Sequence, residues 1–408
     1  MSQTEVQLIK NGAVVDADIN GMSSSKLSGA LPAISGASLT NLPTPTGKTR
    51  NILMNGAMLV AQRGTSSTSN GYQTIDRFAV FNGGTDEAPT QAQVDLTSSD
   101  TPYSLGFRKA LKVTNGNQTS GAGAADFIEI MQKFEGQDIN SSGWDFTSTS
   151  SFITISFWIK SSVAQTFYGK MRITEASANK EYTFAINATT SWQKITKTIP
   201  GASGLNPVNT NGLGGWFDLI AFFGTDYSGS MTLDQWNTYD ASAAVPDMTS
   251  TWYTTNDATL EYTGLQMEVG SVATDFEHRS FGQELALCQR YFYRIGDGSN
   301  AYQLQGNGFI GENGGTKCAK IIINPPVPMR AEPTLSVIGT DTFRATAGGT
   351  TMTCTATANT GGIWGAASSG DIIWLDLGRS GSGDPTLGDG CVVYADNNSA
   401  NLSFEAEL

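Results

Sequence analysis

The segment SFITISFWIKSS, residues 151–162, constrains this chain more than any other stretch. Side chains on a strand alternate between two faces. Ile153, Ile155, Phe157 and Ile159 fall on one face, and Phe152, Thr154, Ser156 and Trp158 on the other. A wholly apolar face must point into a core, so the segment predicts a strand buried on one side. Similar runs are RKALKVTN (108–115), FIEIMQKF (127–134), EYTFAIN (181–187), WQKITKTI (192–199), WFDLIAFFG (216–224) and TLEYTGLQMEVG (259–270), and the β pattern opens at NILMNGAMLVAQRG (51–64). Turn-rich segments such as GNQTSGAGAAD and NPVNTNGLGG separate them, with no long helical period between. About eight strands punctuated in this way predict an antiparallel sandwich of jelly-roll type.

After residue 295 the style repeats on a smaller scale, in AYQLQGNGFIG (301–311), TKCAKIIINPPVPMR (316–330), PTLSVIG (333–339), TMTCTATA (351–358), DIIWLDLG (371–378) and NLSFEAEL (401–408). A chain of 408 residues exceeds what one core normally serves. The expected fold is mainly β: an antiparallel jelly-roll sandwich over 51–279, then a smaller C-terminal β-sandwich over 280–408 led by a helix. An extended N-terminal attachment and shaft segment over 1–50 precedes both. In that segment LSGALPA (27–33) is echoed at once by ISGASLT (34–40), while Pro32, Pro43 and Pro45 oppose a helix. One aliphatic position per short repeat suits chains that wind around one another, with Leu27, Leu31, Ile34 and Leu39 lining a trimer axis; disorder is the alternative. LPTPTGKTR then reads as a linker.

Charged residues make up 15% of the chain, well below the ~25% usual for soluble domains, so Ser, Thr, Asn and Gly must cover the surface. The net charge is -13, and no Lys/Arg run could neutralise a row of phosphates, which argues against nucleic-acid binding. No apolar stretch is long enough to span a bilayer, so membrane insertion is not expected. The start, MSQTEVQLIKNGAVVDADI, lacks a basic segment followed by an apolar one, so the standard secretory route is not expected either. Cys288, Cys318, Cys354 and Cys391 stand at gaps of 30, 36 and 37 residues, which fits no CxxC metal pattern. They read as buried free thiols. No cofactor is expected, and the acidic loops assign no calcium site, since no DxDxDG loop occurs.

SFGQELALCQRYFYR (280–294) is the most persuasive amphipathic segment. Ser280 and Gln283 fit a capping box, and Phe281, Leu285, Cys288 and Phe292 follow helical spacing, which puts Cys288 in a core. His278, the only histidine, lacks a second histidine for zinc and a placed nucleophile for catalysis. It reads as a structural hydrogen-bonding group at the joint between the two domains.

The segment GLQMEVGSVATDFEHRSFGQELALCQRYFYR (264–294) resembles one found in phage and prophage tail fibre or appendage proteins, where a carbohydrate-binding-module-like jelly roll runs through a short helix into a C-terminal β domain. PPVPMRAEPTLSV (325–337), NILMNGAMLVAQRGTSS with YQTIDRF (72–78), and the N-terminal repeat are similar to other parts of such proteins. The resemblance implies a virion tail protein, usually a homotrimer, made in the host cytoplasm and released by lysis. It also implies attachment to other tail proteins through the N-terminal segment, and contact with the host surface.

For a glycan ligand the expected site combines aromatic faces with hydrogen-bonding side chains. The region 216–257 supplies Trp216, Tyr227, Trp236, Tyr239, Trp252 and Tyr253, interleaved with acids such as Asp240. Trp252, Tyr253, Trp236, Tyr239 and Asp240 are therefore the candidate ligand-binding residues, and host surface glycan the expected partner. Two other readings remain open. An architectural appendage subunit would bind no receptor. A glycan depolymerase would need two converging carboxyl groups; its candidate acids are Glu129, Glu261, Glu268, Asp218 and Asp376, each isolated in sequence, and no catalytic residue is assigned.

Overall fold

The computed structural model describes residues 50–296, 303–338, 343–355, 362–363, 370–396 and 401–408. The expected shaft positions Leu27, Leu31, Ile34 and Leu39 lie outside them. Strands β1 (Ser66–Ser67), β2 (Ala79–Gly83), β3 (Thr90–Asp95), β4 (Lys109–Thr114), β5 (Phe127–Glu135), β6 (Phe152–Ser161), β7 (Gln165–Ile173), β8 (Lys180–Ala188), β9 (Gln193–Pro200), β10 (Leu213–Phe223), β11 (Trp236–Thr238) and β12 (Thr259–Val269) form two antiparallel sheets. Their orders are β1-β3-β4-β12-β6-β9 and β11-β8-β7-β10-β5-β2, a jelly-roll sandwich.

The alternation in β6 explains how the sheets meet. Ile153, Ile155, Phe157 and Ile159 are all fully buried, and they share one core with Phe167 and Met171 of β7, Phe184 of β8 and Phe217 and Leu219 of β10. Two short helices, α1 (Gly136–Ser141) and α2 (Thr251–Thr254), connect strands. A bulge in β12 between Thr263 and Gln266 seats Gly264 at φ +69°, where a Cβ would lie 2.8 Å from the Phe107 ring. Residues 51–64, expected as a strand, form an irregular strap instead. Two buried asparagines pin it: the Asn51 amide donates to the Leu265 carbonyl (2.9 Å), and the Asn55 amide donates to the Val60 and Asp76 carbonyls (both 2.9 Å). Side-chain amides here replace the ladder of a strand.

The helix α3 (Phe281–Gln289) begins with the expected capping box between Ser280 and Gln283. It ends earlier than its apolar spacing suggested. Phe281 is 57% exposed, while Glu284, Cys288, Tyr291 and Phe292 are buried. Phe292 opens β13 (Phe292–Ile295), followed by β14 (Leu304–Asn313), β15 (Thr316–Ile323), β16 (Thr334–Ile338), β17 (Phe343–Ala347), β18 (Thr350–Thr355), β19 (Gly362–Ile363), β20 (Ile373–Arg379), β21 (Gly390–Ala395) and β22 (Asn401–Glu405). These make a three-stranded sheet, β13-β22-β16, and a seven-stranded sheet, β15-β14-β21-β17-β18-β20-β19. Strand β15 pairs with both β14 and β20, so the larger sheet closes into a ring. The smaller sheet lends Leu402 and Phe404 to the same core as Ile310, Phe343 and Leu375. All four cysteines are free and buried.

The two cores meet at a polar seam. Arg77 is 1% exposed and left-handed at φ +73°. It pairs with Glu407, donates to the Lys133 carbonyl and lies 3.4 Å from the Tyr291 ring centroid. Such a conformation persists only where its surroundings fix it. Beside it, Glu135 accepts from Arg290 Nε (2.7 Å), Arg290 Nη2 (2.9 Å) and the Tyr291 hydroxyl (2.6 Å). His278 does not take part: its Nε2 donates to the Leu105 carbonyl (2.9 Å), and the ring packs on Phe107 and Phe276, all within the jelly roll.

Candidate functional site in the jelly roll

Strands β5, β7 and β10 lie side by side, and their odd and even positions face opposite ways. The inward set builds the core. The outward set places Glu129 and Met131 of β5, Lys170 and Arg172 of β7, and Trp216 and Asp218 of β10 on one surface. Register fixes the neighbours: Asp218 stands opposite both Met131 and Lys170, and Trp216 stands opposite Arg172. On the far side, Arg172 stands opposite Glu181 of β8.

The loop after β10 roofs this surface. Its Gly229 N–H bonds the Val245 carbonyl (2.9 Å), Ala244 N–H bonds the Tyr227 carbonyl (3.0 Å), and Tyr239 N–H reaches the Asn179 carbonyl (2.9 Å). Tyr227, Tyr239 and Ala244 thereby enclose a pocket of about 320 Å³ over the charged strands.

Inside it, Lys170 Nζ lies 3.5 Å from Asp218 Oδ2 and 3.8 Å from Glu181 Oε2, and Arg172 Nη2 lies 3.4 Å from Glu181. The Trp216 indole N–H also donates to Asp218 Oδ2 (2.8 Å). The Arg172 guanidinium is sandwiched between two rings, 3.5 Å from the Tyr239 centroid and 4.4 Å from that of Trp216. Two buried polar atoms remain without a partner, Asp218 Oδ1 and Arg172 Nε. Glu129 makes no hydrogen bond or ion pair among the described residues.

Burial decides the protonation of these acids. Desolvation, with the Asp218 charge behind it, pushes Glu129 up to about 7 against the pull of Lys170 and Arg172. Asp218 and Glu181 are likewise raised by burial, opposed by the same two cations. Among the described residues no three His, Cys, Asp or Glu side chains gather as a metal-ligand set.

Of the five residues that the sequence put forward, Tyr239 lines this pocket. Asp240 is exposed beside it, and its carboxylate accepts from Ser242 N–H (2.9 Å). Trp236 is half-buried on the core, with its indole donating to the Pro200 carbonyl (2.7 Å). Trp252 and Tyr253 are corrections. Both are fully buried, Trp252 edge-on to Phe167 and Tyr253 stacked 4.2 Å from Phe222, so neither has a face for a ligand. Sequence reasoning named Glu129 and Asp218 only as isolated acids, and it missed Lys170 and Arg172 because β7 was not recognised. The pair of charged positions Lys170 and Arg172, alternating behind Phe167 and Tyr168 in QTFYGKMRI, was the signal available.

No protein-family model matches the sequence, and no curated protein matches it. Among solved structures the chain is similar to a family 4 carbohydrate-binding module, at 11% identity and a TM-score of 0.28, over 53% of this chain and 99% of that one. It is similar to the family 11 carbohydrate-binding module of a cellulosomal cellulase of Clostridium thermocellum, at 11% identity and a TM-score of 0.26, over 53% and 98%. It is also similar to the enzymatically active domain of tailspike protein 4 of bacteriophage CBA120, at 9% identity and a TM-score of 0.28, over 54% of this chain and 21% of that one. At scores this low the likenesses decide no point of chemistry, which rests on the pocket itself.

Proposed function

We propose that the jelly roll is a glycan-binding module and that the roofed pocket on its second sheet is the site. The observation that carries this is the pair Asp218 Oδ1 and Arg172 Nε. A buried acceptor and a buried donor without partners each cost about 1–3 kcal/mol, and both belong to residues that line the same pocket. A hydroxyl group donates to one and accepts from the other. A sugar brings several hydroxyls on a ring with flat C–H faces, which Tyr227 and Tyr239 can meet at the rim.

The wider reading is a phage tail fibre or receptor-binding protein. It would be a homotrimer joined to other tail proteins through residues 1–50, attaching to host surface glycan and cutting nothing. The resemblance of residues 264–294 supports it. Purified full-length protein should bind glycans on an array, and Asp218→Ala and Arg172→Ala should each abolish that binding. It should run as a trimer in native mass measurements and block phage adsorption. An adaptor subunit would bind no glycan and leave adsorption untouched.

One observation favours a depolymerase as second reading. Glu129, raised to about 7, shares a surface with Asp218, and a raised acid beside a second carboxylate is what glycosidases use. Reducing ends released by the native protein and lost in Glu129→Gln would establish it.

A further inference from the structure

We infer that the pocket selects glycans carrying a free amino group, hexosamine units rather than neutral or acidic sugars; this rests on the glycan-binding reading above. The geometry assigns the charges. Three cations, Lys170, Arg172 and Lys133, act on three acids, Asp218, Glu181 and Glu129. Lys170 is shared between Asp218 and Glu181, and Arg172 is held by Glu181. Among the described residues Glu129 is left with neither hydrogen bond nor ion pair, on the strand next to Asp218, whose Oδ1 is buried and unmatched. What Glu129 lacks is a hydrogen-bond donor: Lys133, the cation on its own strand, is held by the Leu408 backbone oxygen (2.6 Å). An ammonium group supplies three donors and one charge.

The aromatic rings point the same way. A neutral sugar gains most from stacking on an open ring face. Trp216 is 9% exposed beneath the Arg172 guanidinium, while Tyr239, which meets the same guanidinium, stays 36% exposed at the rim. Stacking is thus confined to the rim, and below it the pocket offers charged and polar groups. A uronic or sialic acid would bring a fourth carboxylate beside Glu129 and Asp218, and like charges at this range repel. Arg172 Nε, the unmatched donor, still needs an acceptor, and the sugar's hydroxyls provide it.

The test uses the full chain and three defined probes at pH 7: hexamers of β-1,4-linked glucosamine, of N-acetylglucosamine and of galacturonic acid, titrated by calorimetry. The glucosamine hexamer should bind at least about tenfold more tightly than its acetylated counterpart, the scale of one charge-assisted hydrogen bond. The galacturonate should not bind. Glu129→Gln, which keeps the shape, should erase the preference of the glucosamine hexamer over the acetylated one. Should Glu129→Gln fail to fold, the comparison of probes on the native protein still decides. Equal or tighter binding of the acetylated hexamer overturns the inference and leaves the glycan reading standing, as does a preference that survives Glu129→Gln. If no glycan of any class binds, on these probes or on an array, both fall together.

Discussion

Replacing Glu135 with Gln tests the seam between the two cores. The carboxylate is 1% exposed and accepts from Arg290 Nε and Tyr291 on one oxygen, and from Arg290 Nη2 and Gln137 Nε2 (2.6 Å) on the other. An amide turns one of those oxygens into a donor. Whichever way it is oriented, an N–H then faces two donors, and a neutral group faces Arg290. Losing two charge-assisted bonds costs about 1.5–3 kcal/mol each. Arg290 is 29% exposed, so water recovers part of that. The net expectation is about 3 kcal/mol, at the low end for breaking a buried pair. The cost should depend on pH. Burial alone would raise Glu135, but the hydrogen bonds from Arg290 and Tyr291 outweigh it and hold the carboxyl below its usual range. A folded-state value below the unfolded one, about 4.3, gives stability that is fully present above that value and disappears as pH falls through the folded one. Urea unfolding of both proteins at pH 7 and pH 3, followed by tryptophan fluorescence, reads this out. The gap should be about 3 kcal/mol at pH 7 and shrink in acid. A gap under about 1 kcal/mol at pH 7, or one unchanged at pH 3, would refute the argument that the charged pair holds the seam.

Three further outcomes follow from burial. Trp252→Ala should cost about 3–5 kcal/mol in unfolding, the range for emptying a large aromatic site, whereas Tyr239→Ala at the pocket rim should leave the unfolding midpoint within about 1 kcal/mol of native and weaken glycan binding. Gly264→Ala combines a left-handed backbone with a Cβ 2.8 Å from Phe107, so it should destabilise by more than about 1 kcal/mol; a neutral result in thermal melts would mean the β12 bulge yields. Burial raises the thiols of Cys288, Cys318, Cys354 and Cys391, to about 11 for Cys318 and about 12 for Cys354, so all four should resist a thiol reagent in native buffer and react in urea.

The fold was legible wherever inward positions stayed apolar without a break. Strands β6 and β8 were read within a residue or two because their core faces are unbroken, and β12 because its two halves, either side of the bulge, each keep apolar inward positions. Strand β7 was missed for a specific reason. Its inward row is Phe167, Gly169, Met171 and Ile173, and the glycine interrupts the alternation. The gap is filled from the next strand: a Cβ on Gly169 would lie 2.5 Å from the Phe184 ring. A single-strand pattern cannot show a void that a neighbour's side chain fills. The same limit misjudged α3, where apolar spacing carried Phe292 into the helix although it pairs with Glu405 in a sheet.

The site was less legible, because its members share no stretch of chain. Glu129, Lys170, Arg172 and Asp218 meet only once β5, β10 and β7 pair, and nothing local in β5 states which strand will lie beside it. Aromatic density pointed to 216–257, and at Trp252 and Tyr253 burial reversed the inference. Trp252 looked like a loop residue because Thr and Asp surround it. Yet its backbone N–H reaches the Gln165 side chain (2.9 Å) and its indole the Thr259 carbonyl (3.1 Å), which seals α2 over the end of the sandwich. An aromatic ring in a polar segment marks a place where the chain folds back on its core as readily as one where it meets a ligand. Hydrogen-bond satisfaction separates Trp252 from the pocket residues. Every polar group on Trp252 is satisfied by the chain itself, whereas Asp218 Oδ1 and Arg172 Nε have no partner among the described residues.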